Sequence, residues 1–307
     1  CRMCIANRFS FILCVFVMRL PIVSAFINPF LLKSINPVTL RNLLRDEMNR
    51  NYTYLTYPKA KKVLHNEVSM IDIYGDNLED LNVEHVFPQF SFKHHENKKQ
   101  MRSDLHNLYL CNSKLNSLRQ NFKYMNQDEI SDEFGDGIQR GDKILDKKGN
   151  LITSSNDLFR KQGYLMIVNQ KKKQFIPTQY SRGKIARSLG YFAIKYDYLD
   201  ELKKIINLDT LLIWNNKDPV DDNEYLKNLI VFKHQHNINP FILEPELLIY
   251  CLSDQVEIDI ELLKKSHKRY TIDPMHVINF LLKDSKREKE TQIHYEKVMK
   301  MLKKKRN

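Results

Sequence analysis

The feature that most constrains the fold of this chain is a repeat of apolar residues at helical spacing in its second half. Apolar side chains recur every three or four residues, which places on one helix face Ile185, Leu189, Phe192 and Tyr196. A further helix is predicted after Asp221-x-x-Glu224, which resembles a capping box. Because an amphipathic helix must bury its apolar face, helices are expected to form much of the core.

Weaker signals in the first half add strands to this pattern. Asn36-Pro37 and the apolar residues after it predict a helix from 37 to about 50. Alternation over 69–74 predicts a strand, and capping residues at the start of 112–124 predict a helix there. The segments 143–145 and 151–153 flank a turn-like stretch and predict a hairpin. The predicted fold class is therefore α+β, mostly helical.

The composition is that of a globular protein with a basic surface. Of 307 residues, 42% are hydrophobic and 28% are charged, which excludes a disordered chain, a collagen-like chain and a multi-span membrane protein. Lys and Arg number 49 against 37 Asp and Glu, and the formal charge of +12 favours a polyanionic partner. An AT-rich coding bias is the alternative source of this charge. Cys111 and Cys251 are compatible with one disulfide or with two free thiols.

Residues 1–25 have the pattern of a signal peptide. Arg8 precedes an apolar run, and Val23-Ser24-Ala25 offers a small-residue cleavage site, with an untranslated leader as the alternative. Arg19 and Pro21 interrupt the run well short of the roughly 20 residues that a spanning helix needs, so no stable membrane span is expected. A signal peptide would make the protein secreted or lumenal, and otherwise it would be intracellular.

Residues 255–307 are predicted to form a basic helical C-terminal extension. Within it, 286–307 hold nine Lys or Arg against three Glu. This extension is either an electrostatic accessory that attracts polyanions or a solvated tail.

The residues with the clearest chemical meaning are the adjacent Glu84 and His85. Hydrolysis of a phosphodiester needs an activated water, a cation near the developing charge and donors for the nonbridging oxygens. On an extended segment the two side chains point to opposite faces, so Glu84 can hold a cation while His85 takes a proton. Histidine suits a general base because its unperturbed pKa is about 6.5. The Glu84 carboxylate and the Asn116 amide oxygen are hard ligands suited to Mg²⁺ or Ca²⁺.

Several ordered motifs surround this pair. They are Asn82-Val83-Glu84-His85-Val86-Phe87-Pro88, Arg102-Ser103-Asp104-Leu105-His106-Asn107-Leu108, Leu115-Asn116-Ser117-Leu118-Arg119-Gln120-Asn121, Arg182-Gly183-Lys184-Ile185-Ala186-Arg187, Trp214-x-x-x-Asp218-Pro219-Val220 and Gln235-x-Asn237-x-Asn239-Pro240-Phe241-Ile242. In these motifs the chain resembles the endonuclease I family, metal-dependent nucleases built around a ββα-metal, or His-Me, finger. The resemblance implies a nuclease domain over 30–250 with an embedded ββα-metal nuclease core. It also makes His85 the general base and Glu84 and Asn116 the metal ligands.

The same motifs assign further residues to the substrate. Arg102 is the candidate for the phosphate-binding catalytic arginine that the resemblance implies. Arg119 and Asn121 are candidates for nucleic-acid binding, with bracing of the loop as the alternative. Arg182 and Arg187 match positions inside a family motif and are also candidates for nucleic-acid binding.

Two neighbouring groups of residues have structural or solvent-exposed interpretations. Asp104 and His106 are expected to make structural hydrogen bonds within the fold. A basic loop is either solvated or in contact with phosphate, and its members are Lys93, His94, His95, Lys98 and Lys99.

The predicted function is a metal-dependent endonuclease that hydrolyses phosphodiester bonds of DNA, with RNA as a further substrate and little sequence specificity. The resemblance implies 5′-phosphate ends. We expect Mg²⁺ as the cofactor, with Mn²⁺ or Ca²⁺ as alternatives, no small-molecule cofactor, and a monomer. The alternative is a nucleic-acid-binding protein with a decayed nuclease site. It is suggested by departures such as Tyr109, where many relatives have a proline, and Asn215, where they have a histidine.

Overall fold

The computed structural model describes residues 36–68, 73–74, 80–126, 143–145 and 166–257. Within them, α-helices predominate beside two small β-sheets, which confirms the predicted α+β class. The helices are α1 (Pro37–Asn49), α2 (Tyr57–Glu67), α3 (Lys98–Ser103), α4 (Ser113–Arg119), α5 (Gln179–Lys195), α6 (Leu199–Ile205), α7 (Leu208–Lys217), α8 (Asp222–Gln235), α9 (Pro240–Leu243) and α10 (Glu246–Leu252), with a 3₁₀ helix over Gln89–Phe92. The strands are β1 (Leu81–His85), β2 (Leu108–Asn112), β3 (Lys123–Tyr124), β4 (Lys143–Leu145), β5 (Met166–Asn169) and β6 (Gln174–Ile176).

The central element is α5, which contains the apolar repeat predicted from the sequence. It contacts α1, α6, α7 and α9, and its residues from Ile185 to Lys195 are all buried. A helix covered on every side needs close approaches: a Cβ on Gly183 would lie 2.0 Å from the Asp218 carbonyl oxygen at the end of α7. This helix therefore provides the rigid body of the fold.

Helix α1 matches its predicted bounds, whereas α4 matches its predicted start but not its predicted end. The Asn36 side chain accepts a hydrogen bond from the Val38 N–H at 2.8 Å, which confirms the N-terminus of α1. The helix predicted over 112–124 was too long, because Gln120 adopts a φ of 52° and the chain turns into β3. The 69–74 strand lies outside the described residues except for 73–74, which form a bend.

The four-stranded sheet has the order β3-β6-β5-β4, with β3 parallel to β6 and the other pairs antiparallel. The predicted strand over Lys143–Leu145 is thus present and pairs with β5. Its predicted hairpin partner over 151–153 lies outside the described residues.

The smaller sheet and the helix that follows it form a strand-strand-helix unit. β1 and β2 are antiparallel, with Glu84 opposite Tyr109 and His85 opposite Leu108. β2 passes directly into α4, because the Asn112 side chain accepts hydrogen bonds from the N–H groups of the first turn. Helix α4 packs against both strands, so this unit holds Glu84, His85 and Asn116.

Three further predictions concern chain segments and thiols. Among the described residues, no helix is long and apolar enough to cross a membrane. Cys111 and Cys251 are both buried, and neither forms a disulfide, so the two-thiol alternative is correct. Residues 1–25 and the basic stretch 286–307 lie outside the described residues.

Candidate active site

His85 is the last residue of β1 and is held in one tautomer. Its Nε2 lies 2.9 Å from the Arg102 carbonyl oxygen, which can only accept, so Nε2 carries the proton. Nδ1 therefore has the lone pair, and it accepts a hydrogen bond from the Gln89 side-chain amide at 3.1 Å. The Tyr57 ring stacks on the imidazole with centroids 5.8 Å apart. Burial lowers the pKa of His85 to about 4, so the imidazole is neutral at pH 7.

Glu84 has a different set of neighbours, as expected for the adjacent residue of a strand. The Tyr74 hydroxyl donates to Glu84 Oε1 at 2.8 Å. Arg119 Nε lies 3.3 Å from the same oxygen, an ion-pair distance without hydrogen-bond geometry. Burial raises the pKa of the Glu84 carboxyl, while the Arg119 charge and the Tyr74 hydrogen bond act in the opposite direction. The Tyr124 hydroxyl is 2.9 Å from that of Tyr74 and extends the network.

Asn116 lies in α4 beside the strand that carries Glu84. Its Nδ2 donates to the Val83 carbonyl at 3.1 Å, and this bond fixes the amide against β1 while leaving Oδ1 as an acceptor. One carboxylate and one amide oxygen fit Mg²⁺, which keeps several waters and accepts substrate phosphates as further ligands. Among the described residues, no group of three or more His, Cys, Asp or Glu could hold a metal ion. Glu84 and Asn116 are the donor pair that the sequence predicted, and they lie on the packed elements β1 and α4.

Arg102, the candidate phosphate-binding arginine, is exposed, and its backbone contacts His85. Its guanidinium carbon is 4.3 Å from the centroid of Tyr57, the ring that stacks on His85. Its carbonyl is the acceptor that holds His85 Nε2. Arg102 therefore orients the imidazole through its backbone carbonyl, while its positive side chain packs on the Tyr57 ring.

Arg119 is almost completely buried, with 1% of its surface exposed. Its guanidinium donates to the Val86 carbonyl at 3.2 Å and to the Gln120 carbonyl, and it lies 4.6 Å from the Tyr124 ring centroid. These contacts favour the bracing interpretation over direct contact with phosphate. Asn121, two residues further on, is exposed.

The structure corrects the expectation that Arg187 binds nucleic acid. This side chain is fully buried, and its Nε and Nη2 donate to the two carboxylate oxygens of Glu224 at 2.7 and 2.6 Å. Its Nη1 donates to the Asp218 carbonyl at 2.9 Å. Glu224 is therefore committed to Arg187 rather than to a reciprocal capping box, although the Asp221 half of that box is present. Arg187 joins α5 to α7 and α8.

Arg182, one turn earlier on α5, is half-buried. It donates to the Pro177 carbonyl and to Asn126 Oδ1, both at 3.2 Å. Its guanidinium carbon is 5.6 Å from the Trp214 ring centroid, and that ring is 6.2 Å from the Tyr124 ring. The Trp214 and Tyr124 rings therefore lie between Arg182 and the Glu84 network, and the role of Arg182 in nucleic-acid binding stays a prediction.

Asp104 and His106 occupy a buried polar cluster, as their structural interpretation required. Asp104 accepts hydrogen bonds from Lys195 at 2.7 Å and from the Tyr196 and Tyr191 hydroxyls at 2.9 and 3.1 Å. His106 lies 3.3 Å from the Asn237 carbonyl oxygen, and burial lowers its pKa to about 3. The cluster anchors the turn before β2 to α5.

Four residues of the site were missed by the sequence interpretation. They are Tyr57, Tyr74, Gln89 and Tyr124. None belongs to a pattern with a chemical signature, and Tyr57 and Tyr124 are distant in sequence from the residues they support. Gln89 alone offers a signal, since it follows the histidine by four residues at the end of the Glu84–Pro88 motif.

Comparison with known proteins shows the family of the chain. The family model described as Endonuclease I matches residues 38–246. An extracellular ribonuclease of Bacillus subtilis (strain 168) is 28% identical over 222 residues, which cover 67% of this chain and 64% of that protein. An extracellular ribonuclease of Bacillus amyloliquefaciens is 36% identical over 85 residues, 23% of this chain and 29% of that protein. The chain thus spans less than two thirds of the length of either relative.

Proposed function

Since the chain belongs to the endonuclease I family, we propose that it is a metal-dependent endonuclease that hydrolyses phosphodiester bonds of DNA and RNA and leaves 5′-phosphate ends. The observation that carries this proposal is the neutral His85, whose Nε2 proton is held by the Arg102 carbonyl and whose Nδ1 is left to take a proton. The names of the two ribonuclease relatives support RNA as a substrate.

His85 acts as the general base. Its Nδ1 removes a proton from the water that attacks phosphorus, and the Gln89 amide, which is exposed, moves aside to admit that water. Arg102 holds a nonbridging oxygen of the phosphate, because its guanidinium is exposed and lies on the Tyr57 ring that stacks on His85. Backbone phosphate contacts contain no sequence information, so cleavage has little sequence specificity.

Glu84 and Asn116 would hold Mg²⁺, or Mn²⁺ or Ca²⁺ in its place. When bound, such a cation supplies positive charge to the phosphate and the leaving oxygen. Arg119 and Tyr74 orient the Glu84 carboxylate through their contacts with Oε1, and both favour its ionised form against the effect of burial. In this proposal β1, β2 and α4 constitute the ββα-metal core. Secretion is supported by the extracellular relatives and by the signal-peptide pattern of residues 1–25.

The test is incubation of the purified protein with supercoiled plasmid and with RNA, in Mg²⁺ and in EDTA. His85→Ala should lower the cleavage rate by about 10²- to 10⁴-fold with little change in binding, because the imidazole acts on water. His236→Ala, at an exposed position at the end of α8, is the matched control. A His85→Ala protein that cuts within tenfold of wild type at neutral pH would place the base elsewhere.

The cation site has its own test. Glu84→Gln and Asn116→Ala should each weaken Mn²⁺ binding in calorimetry, since each alters one of two protein ligands. Asn121→Ala, past the end of α4, should not. Unchanged affinity in both ligand variants would refute the site. Binding of nucleic acid without cleavage under any divalent cation would instead favour a binding protein with a decayed site.

A further inference from the structure

Phe90 is an exposed aromatic residue in the connection between β1 and β2. Its side chain is 60% exposed, more than any other exposed large hydrophobic residue of the described chain. It lies in the 3₁₀ helix Gln89–Phe92, whose last residue, Phe92, is buried against Phe192 with ring centroids 5.4 Å apart. The helix is thus anchored to the core at one end while Phe90 projects into solvent.

The residue before Phe90 contacts the proposed general base. The Gln89 side-chain amide lies 3.1 Å from His85 Nδ1, and consecutive Cα atoms are about 3.8 Å apart, so Phe90 adjoins the residue that touches the atom that takes the proton. The far end of the same connection returns to His85 through the Arg102 carbonyl. A phosphate bound at His85 therefore lies beside this connection.

The Phe90 ring has positively charged residues around it. Lys93 Nζ lies 4.2 Å from the centroid of Phe90. Lys98 and Lys99 on α3 are exposed as well, and Glu96 is the single acidic residue between 89 and 102. An exposed aromatic ring with lysines around it is the arrangement that binds single-stranded nucleic acid, in which bases stack on aromatic faces while cations contact the backbone.

We propose that Phe90 and Lys93 form a stacking subsite for an unpaired base next to the scissile phosphate, so that the protein favours single-stranded over duplex substrate. The inference rests on the proposed nuclease function and names its substrate class. Only an unpaired base exposes its face to a protein ring, because a duplex buries both faces in the stack. Every base has such a face, so this subsite preserves the low sequence specificity.

The experiment pairs a protein change with a change in the substrate. End-labelled single strands of one sequence, intact or with one abasic position, are digested by wild type, Phe90→Ala and Phe90→Tyr, and the cuts are mapped. In wild type, an abasic position should suppress cleavage at one phosphate, at a fixed distance along the strand, by about 5- to 150-fold. This is the range expected for loss of one stacked base. Phe90→Ala should cut the intact strand slower by a similar factor and lose the offset effect, whereas Phe90→Tyr should keep both.

Controls separate this subsite from folding and from the nuclease function. Leu43→Ala, at an exposed apolar position of α1, should behave as wild type. The same strands are bound to His85→Ala protein, with and without Phe90→Ala, to measure stacking without cleavage. Binding that depends on Phe90 when no variant cleaves would refute the nuclease and retain the subsite. An abasic effect or single-strand preference that persists in Phe90→Ala would overturn the subsite and leave the nuclease intact.

Discussion

Replacing Arg187 with methionine should destabilise the protein strongly while removing no contact with nucleic acid. The guanidinium binds both oxygens of Glu224 and the Asp218 carbonyl, and neither Arg187 nor Glu224 is exposed. Removing one partner of a buried ion pair leaves the other charge without solvent or counter-ion, and the usual penalty is about 3–5 kcal/mol. That is a large share of the roughly 5–15 kcal/mol that stabilises a typical domain.

A double variant provides the internal control for this magnitude. Arg187→Met with Glu224→Met removes both charges and leaves no unpaired carboxylate, so it should recover much of the lost stability. Urea unfolding of the wild type, both single variants and the double variant measures the coupling between the two residues. The double variant should be destabilised by several kcal/mol less than the sum of the two single variants.

The same variants distinguish a structural arginine from one that binds phosphate. Loss of a phosphate contact should flatten the slope of log K against log salt by about 0.9. Arg102→Met should show this change with little loss of stability, because its side chain is exposed. If Arg187→Met were as stable as wild type, or if it flattened the salt slope while Arg102→Met did not, the assignment of the two arginines would be wrong.

Three further predictions follow from buried or tightly packed residues. His106 has a pKa of about 3 when folded and about 6.5 when unfolded, so the unfolded chain binds the proton first and stability falls as pH drops below 6.5. When the pH is lowered from 7 to 5, the unfolding free energy of wild type and of His94→Gln should fall by about 2 kcal/mol more than that of His106→Gln. Equal losses in the three proteins would contradict a buried, neutral His106. Tyr57→Ala should lower the cleavage rate more than Tyr57→Phe, since the ring and not the hydroxyl contacts His85 and Arg102. Equal cleavage rates in the two variants would exclude a positioning role for the ring. Gly183→Ala should reduce stability by about 3 kcal/mol, because the added Cβ would clash with a backbone carbonyl. Gly190→Ala should cost less, because its Cβ would contact the Leu248 side chain, which can move. Urea midpoints in the reverse order would refute this.

The sequence was sufficient where information is local. The apolar repeat of α5 and the caps of α1 and α8 depend on residues within a few positions of one another, and the structure confirms them. Helix α4 was predicted too long because its end depends on the positive φ of Gln120, which no periodicity reports. Adjacent placement of Glu84 and His85 on one strand is also local, and the strand gives them different partners.

The tertiary structure decided which charged residues remain available to a substrate. Arg102, Arg119 and Arg187 are equivalent by charge in the sequence, yet the first is exposed and the other two are buried. The difference comes from acceptors far along the chain: Val86 is 33 residues from Arg119, and Glu224 is 37 residues from Arg187. A buried guanidinium is stable only when such partners satisfy its donors, and their convergence is a property of packing. The family could therefore be inferred from the sequence alone, whereas the division of these arginines between buried and exposed positions required the fold.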